Sequence, residues 1–213
     1  MFAVDSATIS RLLQPFAMLD EKQVDQTSAY LNLLLKWNAK TNLTSVRIPE
    51  EIVTRHFGES LFAASRLLAP GAAGTVIDLG SGAGFPGLPF AIWSAAVQVT
   101  LIESNAKKAA FLNEVIHTLQ LANARTLRQR GEDHVGQADL VTMRAVEEFD
   151  RSARVALRLV RAGGRLALLI GAGQVDGAKA LLQEVGWNPV IAVPGSRARV
   201  ILSGTKLARV DQG

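Results

Sequence analysis

The sequence contains no cysteine among its 213 residues. This absence excludes disulfide bonds, thiolate metal sites and a cysteine nucleophile, and it is typical of a reducing compartment. The three histidines show no metal-ligand spacing; they are His56, His117 and His134. The chain has no run of about 18 consecutive apolar residues that would span a bilayer, and its first residues lack a signal-peptide pattern. We therefore expect a cytoplasmic protein with no metal and no membrane segment.

Charge and hydropathy describe a folded protein with a basic surface. Hydrophobic residues make up 48% of the chain, which excludes a disordered protein. The net charge of +4 is compatible with a polyanionic partner without requiring one. Acidic and basic side chains are balanced through about residue 60, and the basic excess lies beyond it. We expect a monomer.

The first part of the chain predicts helices only. Asp20 and Gln23 form a capping-box pattern at the start of a helix that runs to about Lys40. Pro49 suits the first turn of another helix. The dipeptide at 70–71, Pro-Gly, then interrupts the helical periodicity. We predict a helical N-terminal extension over 1–70 and a second domain over 71–213.

In the second domain, strands alternate with helices. The predicted strands are 75–79, 97–103, 124–129, 140–142, 165–170, 189–193 and 199–202, and the predicted helices are 86–94, 105–120, 147–160 and 174–185. Alternation of this kind indicates crossover connections and a parallel sheet. The link between the last two strands is too short for a crossover, so they form an antiparallel hairpin. This α/β pattern, a mostly parallel Rossmann-like sheet that ends in an antiparallel hairpin, is typical of class I methyltransferases.

The most specific motif runs from residue 78 to residue 87 and reads DLGSGAGFPG. Its glycines allow a tight turn between a strand and a helix, and they let a ligand approach bare backbone amides. Glu103 ends the next predicted strand, where a carboxylate can accept hydrogen bonds from both hydroxyls of a ribose. The motif predicts a nucleoside cofactor, held by Asp78, Gly80, Gly82, Gly84, Phe85 and Glu103.

Two cofactors compete for this loop. Residues 82–87 form a literal dinucleotide fingerprint, GxGxxG, and Glu103 would also suit NAD. A carboxylate at Asp78, however, would repel a pyrophosphate but can face the cationic amino group of S-adenosylmethionine. Pro86 removes an N–H from the helix N-terminus that a diphosphate needs. With the closing hairpin, these features favour S-adenosylmethionine.

The residues narrow the choice of methyl acceptor. Methylation of cytosine C5 through a thiolate needs a cysteine, and the chain has none. The Asn/Asp-Pro-Pro-aromatic turn common in amine methylation is also missing, because residues 139–145 read DLVTMRA. Guanine N7 carries a lone pair and no proton, so its methylation needs in-line positioning and exclusion of water rather than a base.

Three segments of the chain resemble the RsmG family, also called glucose-inhibited division protein B: residues 37–47, 55–61 and 78–89. The resemblance runs from about Leu33 to Arg144 and more loosely to the end. It implies transfer of a methyl group from S-adenosylmethionine to N7 of one guanine in the decoding-region loop of 16S ribosomal RNA. The implied partner is 16S rRNA or the small ribosomal subunit.

The resemblance also implies particular site residues. The cofactor contacts would come from Gly80, Phe85, Gly131, Glu132 and Arg144. The positions regarded as catalytic, in positioning roles without a general base, are His56, Lys107 and Arg144. The residues expected to contact RNA are Arg47, Arg55, His56, Lys107 and Lys108. The chain departs from the family pattern at Glu59, Met143 and Ile170, where the family has Asp, Ser and often Lys.

Other features leave alternatives open. A basic rim beside the cofactor is predicted from Lys107, Lys108, Arg128, Arg130 and Arg144. One helix face carries Arg151, Arg154, Arg158 and Arg161, but nearby acids favour an ordinary solvated face over an RNA-binding stripe. A methyltransferase for a small molecule or a protein, and a non-catalytic RNA-binding module, are the alternative functions. The intact glycine loop and Glu103 argue against the module.

Overall fold

The structure, a computed structural model, describes residues 4–69 and 71–208. Its helices are α1 Ser6–Leu13, α2 Glu21–Asn38, α3 Pro49–Ile52, α4 Glu59–Leu67, α5 Gly87–Trp93, α6 Ala106–Thr118, α7 Phe149–Leu159 and α8 Val175–Leu181. Its strands are β1 Gly74–Leu79, β2 Val97–Ile102, β3 Ala124–Leu127, β4 Ala138–Arg144, β5 Val160–Gly171, β6 Val185–Trp187, β7 Ile191–Ala192 and β8 Arg199–Lys206. A π-helical turn, Val53–Gly58, joins α3 to α4, and short 3₁₀ turns lie at Gly131–Asp133 and Ala172–Gln174.

The strands form one sheet in the order β3-β2-β1-β4-β5-β8-β6, and β7 also pairs with β8. The pairs among β1 to β5 are parallel, whereas β8 is antiparallel to β5, β6 and β7. The predicted fold class is therefore confirmed. From β1, the strands β2 and β3 extend to one side of the sheet, and β4 and β5 extend to the other side. The switch point therefore lies between β1 and β4, and open α/β sheets bind ligands at the carboxyl edge of such a point.

Helices cover both faces of the sheet. One hydrophobic cluster joins the N-terminal helices to α5, α6 and the sheet, with Leu31, Leu61 and Phe111 among its buried members. A second cluster lies under α7 and α8 and includes Ala156 and Leu168. Because helices cover both faces of the sheet, side chains on both sides of each parallel strand are buried, and these strands are almost continuously apolar. The N-terminal helices thus share a core with the second domain, and the boundary at residue 70 stays a prediction because Pro70 lies outside the described residues.

Local signals place the N-terminal helices as predicted. The Asp20 carboxylate accepts a hydrogen bond from the Gln23 N–H at 2.8 Å, and the Gln23 side chain accepts one from the Asp20 N–H at 3.0 Å. This capping box starts α2, one residue after Asp20. The Pro49 helix was predicted as regular, but the structure widens it into the π-helical turn before α4. Such turns often occur at functional sites.

The C-terminal elements differ most from prediction. The predicted helix 174–185 ends at Leu181, and residues 185–187 form β6 instead, paired with residues 204–206 of β8. β8 also extends four residues beyond the predicted Leu202, because both its edges find partners. β5 begins at Val160 rather than at Arg165, where Val160 pairs with Ala138 across a register shift. These differences come from pairing between distant segments, which a local pattern does not encode.

Candidate active site

The glycine loop leaves β1 with the backbone in the left-handed region. Gly80 has a φ of +69° and Gly82 a φ of +56°, which glycine adopts without steric cost. The loop is fastened to β2, because the N–H groups of Gly80 and Ser81 both donate to the Ile102 carbonyl, at 2.9 and 3.1 Å. A β-carbon on Gly80 would lie 2.8 Å from Cγ1 of Val146, so the loop and the end of β4 are in close contact.

Glu103 lies directly after β2 and is held by the backbone. One carboxylate oxygen accepts a hydrogen bond from the Gly82 N–H at 2.9 Å, and the other accepts one from the Asn105 N–H at 2.8 Å. The residue is only 7% exposed. Each carboxylate oxygen can accept a second hydrogen bond, so the group is fixed in place and still able to accept two hydroxyls.

A cleft of about 520 Å³ opens above these residues. Of the predicted cofactor contacts, those that line it are Gly80, Glu103, Gly131 and Glu132. Its remaining wall includes Lys108, Arg130 and the segment 145–148 after β4. The cleft therefore brings together the carboxyl ends of β1, β2 and β4 with the 3₁₀ turn, as the fold predicts.

The 3₁₀ turn owes its position to α7. Arg158 donates to the carbonyls of Gly131, Glu132 and His134 at 2.8–3.0 Å. Arg151 forms an ion pair of 2.6 Å with Glu132 in the cleft wall, and a longer one with Glu148. Two of the four arginines on this helix face thus hold the wall of the cleft in place, and the ion pairs of Arg151 agree with the predicted pairing of this face with nearby acids.

Asp78 lies beneath the loop. One carboxylate oxygen accepts from the Thr142 hydroxyl at 2.8 Å, and the other accepts from the Gly87 N–H at 3.1 Å. The residue is 1% exposed, and this burial raises the pKa of Asp78 to about 6. The first N–H of α5 is thereby occupied, which leaves this helix start unsuited to a diphosphate. Contact between Asp78 and the cofactor stays a prediction.

Gly84 and Phe85 pack into the helical layer. The Phe85 ring stacks on Tyr30, with centroids 5.3 Å apart, and meets Phe57 edge-on at 5.0 Å. The Tyr30 hydroxyl donates a hydrogen bond to the Ala83 carbonyl. These contacts tie the loop to α2 and to the π-helical turn. The predicted contact between Phe85 and the cofactor is untested, and the residue is buried in this aromatic cluster.

Arg144, at the end of β4, belongs to a buried polar network with the π-helical turn. Its Nη2 donates to the carbonyl of Arg55 at 3.0 Å, to Nδ1 of His56 at 3.1 Å and to the carboxylate of Glu59 at 3.0 Å. The side chains of Arg144 and Glu59 are each 8% exposed. The Nε–H of Arg144 is buried and has no partner among the described residues. A buried donor without a partner is costly and is compatible with a place for a ligand oxygen.

The network sets the state of His56. Arginine can only donate, so Nδ1 of His56 is the acceptor and Nε2 carries the proton, which it donates to the Thr44 hydroxyl at 2.7 Å. Burial, together with the charges of Arg144 and Arg55, lowers the pKa of His56 to about 3. His56 is therefore neutral at physiological pH. Both ring nitrogens of His56 are therefore engaged, Nδ1 with Arg144 and Nε2 with Thr44.

The predicted RNA contacts fall in two places. Arg47 and Arg55 are exposed on the N-terminal side, where Arg47 donates to Asn42 and Arg55 pairs with Glu51 at 2.7 Å. Lys107 and Lys108 begin α6, which Asn105 caps through hydrogen bonds to both of their N–H groups. Lys108 lines the cleft, whereas Lys107 is exposed outside its wall. The structure does not bring the two groups into one cluster.

Sequence analysis did not identify several residues that support the site. Thr142 holds Asp78, Tyr30 holds the loop, and Glu59 was seen only as a departure from a family pattern. Its partner Arg144 is 85 residues away in the chain, so no spacing signal marks the pair. The one local sign is that Glu59 is a charged residue on the apolar side of a helix, since a charged side chain is rarely buried without a partner.

We expect Glu103→Ala to weaken binding of S-adenosylhomocysteine by about 1–3 kcal/mol. The ribose hydroxyls of the ligand and the N–H groups of Gly82 and Asn105 would lose their acceptor. Isothermal titration calorimetry measures the affinity directly. Glu184→Ala, which removes an exposed carboxylate from the loop before β6, is the matched control and should bind normally. Equal affinities for the wild type and Glu103→Ala would remove Glu103 from the cofactor site.

The neutral state of His56 predicts a pH effect on stability. A pKa lowered to about 3 in the folded state means that the unfolded chain binds the extra proton first, so stability present above about pH 6.5 is lost as the pH falls. From about pH 7.5 to about pH 5, the wild type should lose about 2 kcal/mol more than His56→Gln.

Urea titrations at the two pH values test this difference. Asp78 acts in the opposite direction, because its raised pKa makes the folded state bind a proton first as the pH falls through about 6. That contribution is present in both proteins, and the subtraction removes it. A pH dependence that is the same with and without His56 would contradict the neutral assignment.

Within residues 4–69 and 71–208, no group of three or more His, Cys, Asp or Glu side chains is placed to hold a metal ion. None of the helices in that part of the chain is long and apolar enough to cross a membrane.

The family model and two sequence relatives point to one family. The family model described as rRNA small subunit methyltransferase G (GidB) matches residues 23–190. The ribosomal RNA small subunit methyltransferase G of Roseiflexus sp. (strain RS-1) is 37% identical over 203 residues, which cover 89% of this chain and 86% of the relative. The protein of that name from Xanthomonas euvesicatoria pv. vesicatoria (strain 85-10) is 40% identical over 185 residues, covering 86% and 84%.

Solved structures with lower identity support the fold. Pyrococcus horikoshii TYW2 in complex with MeSAdo has a TM-score of 0.59 at 19% identity, over 72% of this chain and 63% of that one. A SAM-dependent methyltransferase from Aquifex aeolicus has a TM-score of 0.60 at 14% identity, over 72% and 93%. Both therefore have the same fold as this chain over the 72% of it that they cover.

Proposed function

This chain belongs to the rRNA small subunit methyltransferase G family, and we propose on that basis that it transfers a methyl group from S-adenosylmethionine to N7 of a guanine in 16S ribosomal RNA. It is a methyltransferase whose cofactor is S-adenosylmethionine. The structural observation that supports a guanine as the acceptor is at the end of β4, where Arg144 lies next to residues that line the cleft. Arg144 belongs to the buried network, and the next residues, Ala145 and Val146, line the cofactor cleft.

The cleft fits the cofactor on two observations. The Glu103 carboxylate is held by backbone N–H groups at a depth where it can accept the ribose hydroxyls, and a β-carbon on Gly80 would collide with Val146. The glycine loop leaves bare backbone against the cleft. Gly80, Glu103, Gly131 and Glu132 would hold the cofactor. When bound, S-adenosylmethionine supplies a methyl group on a cationic sulfur.

The chemistry asks little of the side chains besides position. Guanine N7 presents a lone pair and no proton, so a general base is unnecessary. The low pKa of His56 and the hydrogen bonds at both of its ring nitrogens agree with this, because they make His56 a poor base. Guanine also presents O6 next to N7, and both are acceptors. The Nε–H of Arg144 has no partner among the described residues, and a donor of this kind suits O6, since a donor on N7 would compete with the incoming methyl. Glu59 and His56 hold the guanidinium in place for this contact.

Mapping of N7-methylguanine by mass spectrometry tests the proposal. We expect one 16S rRNA position to lose its methyl group in cells without the protein, and to regain it when the wild type is restored but not when Glu103→Ala is. Purified enzyme should methylate either free 16S rRNA or the 30S subunit from the deficient cells. Unchanged rRNA, with a small molecule or a protein methylated instead, would replace the proposal by the alternative acceptor class.

A further inference from the structure

A second depression, of about 840 Å³, lies between α1, the π-helical turn and the loop that connects β7 to β8. We name it the arginine groove after the arginines that line it, Arg11, Arg55, Arg197 and Arg199. We propose that this groove binds phosphodiester groups of the RNA strand that carries the methylated guanine. The inference rests on the proposed function and specifies where the RNA backbone lies.

The groove opens at the acceptor side of the site. Arg199 lies 3.7 Å from the carboxylate of Glu59, and the same carboxylate oxygen accepts from Arg144 at 3.0 Å. Arg144 is the last residue of β4, and residues 145–148 line the cofactor cleft. The groove and the cofactor cleft therefore flank the end of β4. A base that reaches Arg144 from the side of Glu59 and Arg199 would have its backbone in the groove.

The charge of the groove matches a phosphate backbone. Of the residues that the structure describes, Glu59 is the one carboxylate in its wall; it is buried and already shared by Arg144 and Arg199. Arg55 is offset by Glu51. Arg11 and Arg197 are exposed, and among the described residues neither lies within ion-pair distance of a carboxylate. Guanidinium groups suit phosphate because they donate two parallel hydrogen bonds.

The loop that carries Arg197 is built to present it. Gly195 has a φ of +69°, and a β-carbon added there would meet nothing within 4 Å, so the turn is open to solvent. The Ser196 hydroxyl accepts from the N–H of Arg199 at 3.0 Å, and the Val193 N–H donates to the Arg199 carbonyl at 3.1 Å. These bonds fix the backbone of the turn that carries Arg197 and Arg199.

Binding of the double variant Arg11→Ala/Arg197→Ala to 30S subunits and to free 16S rRNA from deficient cells tests the groove. We expect affinity to fall by about 10- to 100-fold at moderate salt, and the slope of log affinity against log salt to flatten by about 1.4–1.8, the value for two lost phosphate contacts. Affinity for S-adenosylhomocysteine should not change. Arg11→Lys/Arg197→Lys should recover most of the salt slope.

The matched control is Arg154→Ala/Lys179→Ala, which removes two positive charges from α7 and α8 on the other face of the sheet. It should bind RNA as the wild type does. Equal losses in the two double variants would mean that net charge alone matters, and an unchanged Arg11→Ala/Arg197→Ala would mean that the groove serves something else, such as an acidic protein. Either result would contradict the proposal that the arginine groove binds RNA. If the wild type binds RNA through the groove but methylates no guanine, the proposed function fails while the groove stands.

Discussion

Glu59→Ala should lower the free energy of unfolding by about 3–5 kcal/mol, because it leaves the guanidinium of Arg144 buried without its counter-ion. Both side chains of the pair are 8% exposed, and the Nη2 to carboxylate distance is 3.0 Å. The remaining partners of that nitrogen are a carbonyl and the neutral ring of His56, which do not balance a full charge. Urea-induced unfolding at neutral pH gives the value.

Glu59→Asp is the control for this prediction. It keeps the charge and removes one methylene, and aspartate is the residue that the family resemblance leads us to expect here. We expect the Asp variant to lose less than about half of what the Ala variant loses. A double variant, Glu59→Ala/Arg144→Met, should recover part of the loss, since no charge is then left buried. An Ala variant as stable as the wild type would show that water reaches Arg144 and that the network is not a buried one.

Gly84→Ala should destabilise the protein by about 3–5 kcal/mol, through a strained backbone and an overlap in the core. Gly84 has a φ of +91°, where a β-carbon would overlap the Tyr30 hydroxyl and the Leu88 side chain. Tyr30 cannot move away freely, because it is fully buried, stacks on Phe85 and donates to Ala83. The loss should also weaken cofactor binding, since the same loop carries Gly80 and Gly82.

Gly195→Ala separates the two causes. Gly195 also has a positive φ, +69°, but a β-carbon there would meet nothing within 4 Å. It carries the backbone strain alone and should cost about 1 kcal/mol. Chemical unfolding of the two variants under one condition gives the comparison. Similar losses at the two positions would show that backbone strain dominates and that the contact of the loop with Tyr30 contributes little.

The family membership decides which of two cofactors the glycine loop binds. The fingerprint at 82–87 also fits NAD, and local pattern alone could only weigh one cofactor against the other. In the structure, the first N–H of α5 donates to Asp78, so a diphosphate would find that helix start already occupied. The preference for S-adenosylmethionine is confirmed, and the hydrogen bond between Gly87 and Asp78 agrees with it.

The sequence by itself determined the features that depend on neighbours along the chain. The capping box at Asp20 starts α2, and the glycines after β1 turn the backbone because their φ values are positive. The alternation of strands and helices predicts the parallel sheet, and the short link before β8 predicts its antiparallel end. Each of these follows from local sterics or from the period of apolar residues, which are written into a short stretch of sequence.

Only the tertiary structure decided where the charged groups lie relative to one another. Arg144 and Glu59 pair across 85 positions, and Arg11 and Arg197 line one groove from opposite ends of the chain. β6 forms because the far edge of β8 offers it a partner. The sequence alone does not show whether a charged side chain is solvated, paired or buried. Its energy depends on the dielectric and the partners around it, and these exist only once distant segments have packed together.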